Sequence, residues 1–219
     1  MNMGNFFEAY GWFIILTVFA FVILITWLLA KKRKEALMRF AQSRGLTYAA
    51  EESPMQNTHL SLFPLFQQGH EPTFQNVMQG YVDGQDIKLF DYHYTTGSRK
   101  SRSTYAQTVI VFNIDKELPY FELRPEHFLD KIGALVGYDD IDFHEDQQFS
   151  KSYLLKGKDK TAVQLLFHLN IRNYFLKSDK WCVEGGGKVL LIYKNNKTIK
   201  VDLLPQFLNQ TLEIFRLFS

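Results

Sequence analysis

The chain has 219 residues, 46% of them hydrophobic and 16% aromatic, which excludes a disordered or collagen-like protein and leaves ample material for one ordinary core. A lone cysteine, Cys182, excludes an intramolecular disulfide framework and fits a reducing compartment. The formal charge of +2 is lopsided: residues 1–45 hold six Lys or Arg against two Glu, and the remainder holds 19 against 21, so a basic nucleic-acid face is not expected.

From Tyr10 to Ala30 the chain reads YGWFIILTVFAFVILITWLLA, 21 residues without a charge. At about 1.5 Å per residue this reaches roughly 30 Å, the thickness of a bilayer's hydrocarbon core, and predicts one transmembrane helix. Trp12 and Trp27 stand near its two ends, where amphipathic rings prefer the headgroup level. Lys31, Lys32, Arg33, Lys34 and Arg39 follow at once, so the positive-inside rule puts residues 1–9 outside and the rest in the cytoplasm. A cleaved signal peptide would want a basic start and small residues at its end, and Leu28-Leu29-Ala30-Lys31 supplies neither.

Residues 31–45 predict a basic juxtamembrane helix that lies against anionic lipid and stops at Gly45. From residue 46 to 219 a single cytoplasmic α+β domain is expected, with a mainly antiparallel sheet and a conceivable division into two sub-lobes near 148. The apolar knot Leu60, Leu62, Phe63, Leu65, Phe66 is too broken by proline for a long helix and is expected to plug the core from a loop. Asn76–Asp83 and Gln85–Thr96 read as a hairpin around Asp83-Gly84. Ser103–Ile114 and Leu118–Arg124 read as further strands, and Phe128 to Val136 as a helix after Pro125.

In the second half the pattern predicts a strand over Phe149–Lys156 and a buried helix over Lys160–Phe175. Strands over Trp181–Glu184, Lys188–Lys194 and Thr198–Val201 follow, and a final helix over Leu203–Phe218 with Pro205 in its first turn. Gly185-Gly186-Gly187 before Lys188 lacks the spacing of a phosphate loop and reads as a tight turn or bulge.

The chemical motifs are sparse. The acidic run Asp139 to Asp146 alternates with Ile141 and Phe143 and has no EF-hand glycine, so it reads as a strand or turn with one buried edge. The six histidines lack the spacing that puts two imidazoles on one metal, and neither a metal nor a cofactor is expected. Asp91 and His93 share a strand face and, with Glu122, form the best polar cluster an enzyme could use. The loop from Arg99 to Arg102 is basic but carries no aromatic platform for bases.

The succession RGL (44–46), FPLF (63–66), NVMQGYVDG (76–84), LFDYHY (89–94), LPYFELRPE (118–126), DIDF (140–143), FSKSYLLKG (149–157) and WCVEGGG (181–187) resembles an uncharacterised family of bacterial proteins. Members of that family have one amino-terminal span and a cytoplasmic domain of this length, and no activity or site residue is assigned in it. The resemblance implies a bacterial inner-membrane setting. Together these features predict a non-catalytic binding or scaffold domain, single-pass in the membrane, that meets the bilayer and a protein partner. An enzyme of unrecognised type and a module sensing anionic lipid are the alternatives.

Overall fold

The structure, a computed structural model, describes residues 3–99, 101–126 and 138–219, with side chains from residue 11 onward. The helix expected over 128–136 lies outside the described residues. The chain divides into two compact units, Met1–Phe40 and Ala41–Ser219.

The first unit belongs to helix α1, Met3–Ser43, in which the expected span and the expected juxtamembrane helix are one uninterrupted element. It is long and apolar enough to cross a membrane. Trp12, Phe13, Phe19 and Leu29 are each more than half exposed, and the Lys31 ammonium sits 5.4 Å above the Trp27 ring. The helix stops where glycine permits. Gly45 adopts φ +68°, its amide donates to the Gln42 carbonyl, and the Leu46 amide reaches back to the Ala41 carbonyl. That pair of bonds is the left-handed Schellman termination.

The second unit is a seven-stranded, wholly antiparallel sheet with 3-10 segments and α-helices, as the α+β reading expected. Its strands are β1 (Thr47–Glu52), β2 (His70–Val82), β3 (Gln85–Thr96), β4 (Ser103–Pro125), β5 (Asp139–Asp140), β6 (Tyr153–Gly157) and β7 (Cys182–Tyr193). The order is β1-β2-β3-β4-β6-β5, and β7 runs along the other edge of β4. Because β4 pairs with β6 and β7, residues before and after 148 share one sheet.

Several predicted elements changed form. Strand β1 was not expected, since TYAAEE has few β-branched residues and forms only by pairing with β2. The two strands expected over 103–124 are one, bent where the polar residues Asp115-Lys116-Glu117 interrupt the register with β7. The strand expected over Phe149–Lys156 begins only at Tyr153, as β6; its first four residues lie in helix α2 (Gln147–Ser152), which the Asp146 carboxylate caps by accepting from the Phe149 amide at 3.1 Å. The helix expected over Lys160–Phe175 breaks into α3 (Lys160–Leu166) and α4 (Leu169–Lys177) at extended His168. It is not buried all round, for Leu165 is 75% and Leu169 57% exposed. Thr198–Val201 makes no strand; Ile199 instead donates its amide to the Thr108 hydroxyl at 2.9 Å.

Helix α5 (Leu204–Phe218) keeps the expected stripe: Leu204, Phe207, Leu208, Leu212 and Phe215 are all buried. With α3 and α4 it covers one sheet face, through ring contacts such as Phe112–Phe215 at 4.8 Å and Phe121–Phe167 at 5.0 Å. Full burial of each such ring contributes about 2–3 kcal/mol. The other face is closed by two 3-10 segments, Pro54–Leu62 and Pro64–Gln67. Leu60, Phe63 and Leu65 plug it against Phe90, Tyr92 and Val109 as expected, while Leu62 turns out to solvent.

The glycine triplet lies inside β7 as a bulge. A Cβ on Gly185 would come within 2.3 Å of the Phe121 ring and one on Gly186 within 2.3 Å of the Tyr120 ring, while Gly187 has φ +57°. Gly185→Ala is therefore expected to lower unfolding free energy by about 1–3 kcal/mol through overpacking. Gly84→Asn, at φ +78° in open space, is expected to be nearly silent because asparagine tolerates that conformation. Denaturant titration of the two variants against the parent chain tests both statements.

Candidate functional site: a buried acid pair

Alternation along a strand sends neighbouring side chains to opposite faces. In β4, Val109 and Val111 face the 3-10 layer, and so do Tyr120, Glu122 and Arg124 beyond the bend, because the irregularity between Asn113 and Leu118 shifts the parity. The glycine bulge does the same in β7. Cys182 and Glu184 before it, and Leu191 and Tyr193 after it, all point to the 3-10 layer. Two bulges on adjacent strands thus bring charged residues of one end and aromatic residues of the other to a common interior.

Glu122 and Glu184 stand directly opposite each other across the β4–β7 ladder, only 1% and 0% exposed. Glu184 is well held. The Tyr193 hydroxyl donates to its Oε1 at 2.7 Å, and the Leu65 amide donates to both its oxygens at 3.2 Å. Glu122 is not. Its nearest cation is the Arg124 Nη1 at 3.7 Å from Oε1, beyond hydrogen-bonding distance, and neither of its oxygens has a hydrogen bond among the described residues. Arg124 Nε and Nη1 and the hydroxyls of Tyr92 and Tyr138 are likewise buried without such a bond among the described residues.

Burial pushes Glu184 up to about 8, and the facing Glu122 charge adds to the shift against the bonds from Tyr193 and Leu65. Burial raises Glu122 too, opposed by Arg124 and Lys156. Two carboxylates this close titrate as one unit, and at neutral pH the pair keeps a proton. Cys182 on the same face is pushed up by burial and then by the two acids, so it stays a thiol rather than a nucleophile. The arrangement can store a proton and hold a backbone amide.

The polar cluster read from sequence does not assemble. Asp91 and His93 lie on the helix-covered face, opposite in sense to Tyr92 between them, while Glu122 lies on the 3-10 face. Asp91 instead ties strands together: it accepts from the Thr108 hydroxyl at 2.6 Å and from the Asn76 amide at 3.0 Å, and Asn76 accepts from the Tyr48 hydroxyl. The acidic run is used for structure as well. Arg172 reaches Asp146 at 2.9 Å and Glu145 at 3.3 Å and lies 4.0 Å over the Phe143 ring. Lys31, Lys32, Lys34 and Arg39 are exposed on α1, with Arg33 partly so. In the basic loop Arg102 is committed to Glu71. Among the described residues no three of His, Cys, Asp and Glu come together to hold a metal.

Glu184, Arg124 and Tyr193 were missed from sequence. Acids and bases alternating with Phe121, Leu123 and Val183 read as a solvent face, and only the 3-10 layer over that face reverses the reading. The signal available was the company of Glu184, a lone acid between Trp181-Cys182-Val183 and three glycines.

Between the ordinary carboxyl value and about 8 the folded chain holds a proton that the unfolded chain has released. The native state then binds more protons, so the pair's contribution to stability is largest at acidic pH and is lost as pH rises through about 8. Thermal melts of the full chain in detergent from pH 5 to 9 are expected to show this decline, and Glu184→Gln, a neutral isostere, to flatten it. An equal slope in the variant would remove the acid pair as its source.

No family model and no curated protein matches the sequence. The fold is similar to that in the crystal structure of the mycobacterial trehalose monomycolate transport factor A, TtfA, with a TM-score of 0.59 and 11% identity, covering 85% of this chain and 96% of that one. At that identity the likeness is one of fold.

Proposed function

We propose that the chain is a membrane-anchored, non-catalytic binding or scaffold domain, single-pass, with its amino terminus outside and the sheet domain at the cytoplasmic face of a bacterial inner membrane. The observation that carries this reading is α1, whose large apolar side chains between Trp12 and Leu29 are exposed and need lipid to cover them. The cationic collar Lys31, Lys32, Arg33, Lys34 and Arg39 supports the orientation, each charge near an anionic leaflet contributing on the order of 1 kcal/mol. The fold likeness to a trehalose monomycolate transport factor supports an accessory part beside a membrane transport process, met through a protein partner. Sealing of the most polar interior cluster from solvent supports binding rather than turnover.

Expressed in a bacterial host, the full chain is expected to stay in the membrane pellet after carbonate extraction. A phosphatase fused to the carboxyl end is expected to be inactive, since that enzyme matures only outside the cytoplasm. Replacing Lys31, Lys32, Arg33 and Lys34 together by glutamine is expected to raise its activity by mixing the orientations. Release by carbonate would overturn the anchor, and an active phosphatase on the parent chain would overturn the orientation.

A further inference from the structure

We propose that Glu122 and Glu184 form a proton-operated latch for the 3-10 layer. While the pair keeps one proton, Glu184 fastens Leu65 to the sheet, and when that proton leaves, the layer lifts between Asn57 and Gln68.

The geometry carries the proposal. With one proton shared, a single negative charge faces the guanidinium of Arg124, while Lys156, the other cation facing the pair, is matched by Asp140 at 2.9 Å. Without that proton, two negative charges stand on directly opposed residues whose Cα atoms are roughly 5 Å apart across the ladder. One of them, Glu122, has no hydrogen-bond donor among the described residues. Water has to reach it, and β4 cannot move away from β7, because the ladder between them runs from Val109 to Leu123. The 3-10 layer is the weaker wall. Across Phe63–Gln67 its polar tie to the sheet is the Leu65 amide on Glu184, whereas Asn57 is pinned by the Lys88 ammonium at 2.7 Å and Gln68 by the Tyr94 hydroxyl at 2.6 Å. Those two points are the hinges.

Among the described residues, the titratable and charged groups that face the pair are Arg124 of β4, Lys156 of β6, Tyr193 and Cys182 of β7, Tyr92 of β3 and Tyr138 before β5. The phenols and the thiol are all held up by burial and stay neutral, so only the acids change charge near neutrality. The inference goes beyond the membrane reading and does not depend on it.

Hydrogen–deuterium exchange of the full chain in detergent micelles, compared at pH 6.5 and 9 and corrected for the intrinsic base-catalysed rate, tests the latch. Protection of the amides from Phe63 to Gln67 is expected to fall by up to about tenfold per pH unit as pH rises from 6.5 to the pair's titration point and to level off above it, with the β2–β3 hairpin unchanged. Glu122→Gln, which cannot take the second charge, is expected to keep its protection at pH 9. Glu184→Gln, a weaker acceptor, is expected to show reduced protection at both pH values and no pH dependence. Unchanged protection in the parent chain, an equal loss in the hairpin, or a parent-like pH response in either variant would overturn the proposal.

Discussion

Placing two carboxylates face to face in a protein interior is expensive, and the domain is arranged around making it tolerable. Taking one charged group out of water costs several kcal/mol even after relaxation, and a second like charge beside it adds to that. The cost is met by a proton, by Arg124, by the Tyr193 hydroxyl and by one backbone amide from a layer far away in sequence. Each donor arrives by a different route. Arg124 comes from the far half of β4, Tyr193 from beyond the glycine bulge, and Leu65 from a proline-punctuated stretch that ordinary helix and strand patterns leave unassigned.

The same stretch shows where sequence reading works and where it stops. The span, the Asp83-Gly84 hairpin, the plug of Leu60, Phe63 and Leu65, and the apolar stripe of α5 were legible because each is a local pattern: a run, a turn dipeptide or a helical period. The misreadings share another cause. A strand pattern at Phe149 yielded to a cap from Asp146, and a helix pattern across His168 stops where the Phe167 ring packs on Phe121 and His168 is extended. In each case a single side chain or tertiary contact outweighed a propensity worth a fraction of a kcal/mol per residue.

The site was the least legible part, and the reason is geometrical. Asp91 and His93 do share a strand face, but the change of parity along β4 puts Glu122 in the opposite layer from them. Asp91 has a structural task instead, joining β2, β3 and β4 through Asn76 and Thr108. Even the acidic run Asp139 to Asp146, the most conspicuous charge feature in the sequence, works as a cap and a clasp for Arg172.

Gly187 gives the domain a kind of reading frame. It supplies the odd residue by which β7 changes its counting, so that positions nine apart look the same way. Deleting one residue there would turn Leu191 and Tyr193 toward the helix layer and send Leu190 and Ile192 toward the 3-10 layer, exchanging the two buried faces of the strand without altering a single side chain. Chain length through this segment is therefore as tightly constrained as chemistry, and insertions or deletions belong only in multiples of two.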